Sequence, residues 1–76
     1  MTLEDAKYAL EHNNLVRCPG IYSGMRLEAL RIKRISPTDE YVMSRDGTIR
    51  RATFCVVYGV HTKRERSVPV DKLEEW

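Results

Sequence analysis

Thr48-Ile49-Arg50-Arg51-Ala52-Thr53-Phe54-Cys55-Val56-Val57-Tyr58-Gly59-Val60 is the stretch on which the fold turns. Ala52, Phe54, Val56, Tyr58 and Val60 alternate along one face, with Thr53, Cys55 and Val57 opposite. That is the two-residue period of a strand. Being apolar on both faces, the strand belongs inside a sheet rather than at its edge. Upstream, residues 41–45 face it across Asp46-Gly47, a strong hairpin signal, because glycine accepts the positive φ that a type I′ turn requires. Downstream, residues 61–66 read as a charged loop and residues 67–70 as a short returning strand. Pro69 has no amide to donate, so that last strand belongs at an edge.

Further out the signals weaken. Residues 25–35 are good helix formers, yet Met25, Leu27, Leu30, Ile32 and Ile35 scatter around a helical wheel. As a strand, Met25, Leu27 and Ala29 share one side, and Leu30 and Ile32 continue after a one-residue slip of the kind a β-bulge produces. The expectation is a bulged strand with Arg26, Glu28, Arg31 and Lys33 toward solvent; a helix is the alternative. Ser36-Pro37-Thr38-Asp39 reads as a turn. Leu15-Val16-Arg17-Cys18 is briefly extended and stops at Pro19-Gly20.

Thr2-Leu3-Glu4-Asp5 has the chemistry of a helix start, a hydroxyl to cap free amides and acids near the positive end of the dipole. Leu3, Ala6 and Leu10 form a stripe for docking, and Asn13-Asn14 is a natural stop. Residues 71–76 fit a last helical turn laying Trp76 against the end of the sheet. The fold class is therefore α+β in a single domain over residues 1–76. A short N-terminal helix precedes a small, strongly twisted antiparallel sheet or SH3-like barrel.

Charge is segregated along the chain. Residues 17–66 carry eleven Lys/Arg against five acids, a net of +6, whereas the two ends carry two against six, a net of −4. The overall +2 hides a basic middle between acidic flanks. Arg31/Lys33/Arg34, Arg50/Arg51 and Lys63/Arg64/Arg66 are the candidate anion-binding residues, suited to nucleic acid or to a nucleotide's phosphates if they converge. The alternative is a solvated face, since strand-edge cations also block aggregation. Tyr22 is a candidate for stacking on a base. The acidic ends could instead meet the basic middle of a second copy, and so small a domain gains from self-association.

Other chemistry is thinly supported. His12, Cys18, Cys55 and His61 lack the close pairing that zinc sites use, so no metal is expected. No nucleophile elbow, P-loop or His-Glu-x-x-His motif occurs, and no cofactor or catalytic residue is expected; the chain reads as a non-catalytic binding protein. The two cysteines are expected to be reduced, partly buried thiols. No run approaches the roughly 20 apolar residues of a membrane span, and the acidic first turn is unlike a signal peptide, so a cytoplasmic protein is expected.

Met1-Thr2-Leu3-Glu4-Asp5-Ala6 through Leu10, then Leu15-Val16-Arg17, Gly20 and Gly24-Met25, resembles the opening of a family of small phage proteins. Asp46-Gly47-Thr48-Ile49 and Asp71-Lys72-Leu73-Glu74-Glu75-Trp76 are similar to its later landmarks. That family includes phage anti-defence inhibitors of the Thoeris system, which sequester a cyclic ADP-ribose-type signal without cleaving it. The resemblance implies a phage or mobile-element origin and a partner that is a nucleotide signal or a host defence protein. The chain departs from the family pattern at Gly20-Ile21, where the pattern has Gly-Trp, so no binding residue carries over.

Overall fold

The computed structural model describes residues 1–19 and 28–76. Among them, helix α1 (Leu3–Glu11) precedes strands β1 (Leu15–Arg17), β2 (Leu30–Met43), β3 (Ile49–Gly59) and β4 (Glu65–Pro69). A 3-10 turn (Val70–Lys72) and strand β5 (Glu74–Glu75) complete the chain. The strands form one antiparallel sheet in the order β4-β3-β2-β1-β5. The expected small α+β architecture is thus what the chain adopts. β5 returns beside β1 through the 3-10 turn, so β4 and β5 are the two edges of the sheet. β3 is paired on both sides and β4 lies at an edge, as apolarity and Pro69 respectively required.

The helix is fixed at both ends by local chemistry. Thr2 Oγ1 accepts from the Asp5 amide at 3.1 Å while the Asp5 carboxylate accepts from the Thr2 amide, a reciprocal capping box. At the other end Asn13 takes a left-handed φ of 56°. Its amide donates to Leu10 O and the Asn14 amide to Ala9 O, the bond pair of a Schellman stop. The docking stripe differs from the expected one. Ala6 and Ala9 are buried, Leu10 is half-buried and Leu3 is exposed. Two alanines on the contact face let the helix backbone approach the core closely, which leaves the longer leucines at its margin. There they wall a groove described below.

The core joins Ala6, Ala9, Val16, Cys18, Leu30, Ile32, Cys55, Val57, Val68, Val70 and Leu73. On β3 it is the Cys55/Val57 face that packs here, while Phe54, Val56 and Tyr58 on the other face are half-buried.

Four local expectations are corrected. The predicted turn at Ser36-Pro37-Thr38-Asp39 is an irregularity inside β2: Ile35 pairs with Cys55 and Asp39 with Thr53, so residues 36–38 face Phe54 alone. Pro37 sits where the ladder has no bond to lose. A second slip falls at Lys33, between Ile32 and Arg34, rather than between Ala29 and Leu30. The Asp46-Gly47 hairpin is present but is not type I′. Only Gly47 has positive φ (87°), its amide donates to Ser44 O, and Thr48 O accepts from the Ser44 amide. This is a type I turn closed by a left-handed glycine, with Asp46 Oδ1 accepting from the Thr48 amide at 2.9 Å. Lastly, residues 71–76 do not form a helical turn around Trp76. Leu73 is fully buried, which draws the chain inward, and Glu74–Glu75 extend to pair with β1. Trp76 is left exposed. The Met25–Leu27 part of the ambiguous segment, Gly20, Ile21, Tyr22 and Arg26 lie outside the described residues.

Candidate anion-binding groove

The eight candidate cations fall in three places. Arg50 and Arg51 begin β3, whereas Lys63 and Arg64 follow its end, so the two groups stand roughly 30 Å apart by strand rise. Arg50 is held by a two-pronged pair with Asp71, and Arg51 lies over the Tyr41 ring, 6.0 Å from its centroid. Lys63 and Arg64 are exposed in the β3–β4 turn. Arg66 is half-buried beside that turn, opposite Val57 in register. Arg31, Lys33 and Arg34 lie together near the start of β2. Arg31 donates to Asn13 O at 2.7 Å and so ties β2 to the end of α1.

Lys33 and Arg34 line a groove of about 550 Å³ between α1 and the bulged part of β2. Its apolar lining is Leu3, Leu10, Ile35 and Pro37, and Lys7 adds a third cation. The bulges make this space. β1 pairs with β2 only at Leu30 and Arg31, so beyond Ile32 the outer edge of β2 lacks a strand partner among the described residues and α1 lies beside it. Extra residues at 33 and 36–38 then bend the strand away from a flat ladder. Ser36 Oγ donates to Thr38 O at 3.1 Å, which holds the bend.

Three cationic residues and one carboxylate line the groove. Lys7 and Arg34 make no ion pair among the described residues. Lys33 carries its ammonium 5.5 Å from the Tyr58 ring centroid, an attraction that positions a cation without neutralising it. The single carboxylate in the lining, Asp39, accepts from Thr53 Oγ1 at 2.7 Å. Lys7 lies outside the basic middle, so charge segregation along the chain does not single it out. Its signal was available: positions 3, 7 and 10 share one helix face.

At the far end of β3 a carboxylate does structural work. Glu28 accepts from the Thr62 amide at 3.1 Å and the Thr62 hydroxyl at 3.0 Å, clamping the β3–β4 turn. Burial pushes its carboxyl up, but the Thr62 and His61 bonds and nearby Arg66 outweigh that and hold it below the usual range. Cys18 and Cys55 are free, buried and pushed up to about 11 by burial, so neither supplies a thiolate near neutral pH. Among the described residues no cluster of three or more His, Cys, Asp or Glu is placed to hold a metal, and no helix is long and apolar enough to cross a membrane.

No family model matches the chain, and no curated protein and no solved structure matches it either.

Proposed function

We propose that this protein is a non-catalytic binding module for a phosphate-bearing ligand, seated in the groove between α1 and β2. The observation that carries the reading is that Lys7, Lys33 and Arg34 line one groove together with Leu3, Leu10, Ile35 and Pro37. A groove of about 550 Å³ lies within the usual size range of small-molecule sites, and its mix of apolar wall and cationic residues suits a nucleotide. The phosphate meets the three cations; the base or sugar meets the leucines and proline. Arg50 is engaged by Asp71 and does not line this groove, so it is not part of the proposed site.

A nucleotide and a single-stranded nucleic acid share this chemistry, and titration calorimetry against both at low and high salt separates them. A polymer that binds tightly and loses affinity steeply with salt assigns a nucleic-acid role. A free nucleotide bound with little salt dependence favours the signal-sequestering role that the phage-protein resemblance implies. In either case Lys33→Glu with Arg34→Glu should weaken binding by at least about tenfold, whereas Arg50→Glu should leave it unchanged. Equal loss in both variants, or no binding of either ligand, overturns the proposed site.

A further inference from the structure

The distal part of the β2–β3 hairpin presents an apolar patch that nothing among the described residues covers. Tyr41, Met43 and Ile49 are 74%, 71% and 60% exposed. Tyr41 is paired in register with Arg51 and Met43 with Ile49, so the four side chains share one side of the hairpin. Arg45 adds a second cation in the adjoining turn. Large exposed side chains grouped in this way mark an interaction surface.

A complementary surface exists elsewhere on the same molecule. A cavity of about 450 Å³ lies between α1, β1 and β5, lined by Tyr8, Ala9, Leu15, Val16 and Trp76, with Asp5 and Glu75 beside them. Tyr8 and Trp76 are 58% and 57% exposed, so each offers an aromatic face. β1 and β5 sit by the first residues of β2, whereas the patch lies at the other end of that 14-residue strand. A single copy cannot bring the two together.

We infer that the occupant is a second copy of this chain: the hairpin tip of one copy docks into the Tyr8/Trp76 cavity of the next. The match is apolar with apolar, and the Arg45/Arg51 end meets the Asp5/Glu75 rim. Because patch and cavity are different surfaces, the contact is either reciprocated in a two-fold dimer or runs head-to-tail into a closed ring or an open chain. This gives a structural form to the segregation of acidic ends from a basic middle, and it is independent of the groove proposed above.

Sedimentation velocity on the full chain, from low micromolar to near-millimolar concentration, tests it. Self-association that weakens with added salt is expected. Arg51→Glu and Glu75→Arg should each weaken it by at least about tenfold, and mixing the two variants should restore association, because each brings one intact surface. Tyr41→Ser serves as a second tip variant should either charge reversal lower the melting temperature. A monomer at every concentration overturns the inference. So does a complex sensitive to Arg51→Glu but not to Glu75→Arg, since that is a symmetric tip-to-tip contact. A mixture that stays monomeric overturns it as well.

Discussion

Across residues 30–35 and 55–59 the β2–β3 ladder packs one face against α1 and the 3-10 turn; across residues 39–43 and 49–53 the same two strands stand largely in solvent. The first half places Leu30, Ile32, Cys55 and Val57 in the core. The second half relies on local ties. Asp39 is bonded to Thr53, Arg50 to Asp71, and the turn is closed by Asp46 and Gly47. The irregularity at residues 36–38 is the joint between them. One half is held by desolvation and the other by hydrogen bonds and turn geometry, which leaves the outer half free to present side chains. Binding surfaces are expected where burial stops specifying the sequence.

The most direct way to break this contrast is to truncate one side chain in each half. Ile32→Ala removes a buried branched side chain and should cost about 2–5 kcal/mol. Met43→Ala removes one that is mostly exposed and should stay within about 0.5 kcal/mol. Urea denaturation midpoints read both. Comparable losses would mean that the outer half is packed after all, and the docking surface argued from its exposure would go with it.

The same division explains what was legible in the chain itself. β3 could be read directly because a two-residue apolar period on both faces permits little else, and Thr2 and Asn13 announced the helix ends by local chemistry. Hairpin position was legible at Asp46-Gly47, but turn type was not, since a glycine at positive φ fits both a two-residue and a longer loop. Ser36-Pro37 misled for a related reason. Its residues favour turns, and only the partner strand decides that they bulge within one strand. Leu73 outweighed Trp76 in setting the path of the last residues because the smaller side chain fits the core fully. The candidate groove was half legible. Lys33 and Arg34 stood out as cations, but Lys7 gained meaning only when α1 was laid beside β2.

Two glycines sharpen the comparison at smaller scale, one at each end of β3. Gly59→Ala would place a Cβ 2.5 Å from Glu28 Oε1 and Thr62 Oγ1. The Glu28 clamp must shift, at a cost of about 1–3 kcal/mol. Gly47→Ala meets no atom within 4 Å, so its cost is only that of a left-handed φ, about 1–2 kcal/mol. Introducing Glu28→Ala distinguishes the two mechanisms. The Gly59→Ala penalty should shrink in that background and the Gly47→Ala penalty should not, a coupling that a double-mutant cycle measures. Equal penalties in both backgrounds would remove the clamp from the account of the β3–β4 turn.

The gentlest probe is pH, because the buried core and the two turns respond at opposite ends of the scale. Cys18 and Cys55 are pushed by burial from the ordinary value of 9.0 to about 11, with Cys18 adding to the effect on Cys55. Above the lower value the unfolded chain releases thiol protons that the folded chain retains, so stability should fall as pH climbs from 9 toward 11. Cys55→Ala should flatten that alkaline limb. Glu28 and Asp46 behave in the opposite sense. Asp46 is held below the usual range chiefly by the Thr48 amide, and Glu28 by its Thr62 bonds against the effect of burial. Their contribution is present above the ordinary carboxylate pKa and is lost as pH falls through the lowered folded values. Asp46→Asn should therefore flatten the acid limb slightly and leave the alkaline limb untouched. Melting temperatures across the pH range read both limbs at once. An alkaline limb unchanged by Cys55→Ala would mean that this thiol is not sealed in the core, and the inner half of the ladder would be looser than its burial implies.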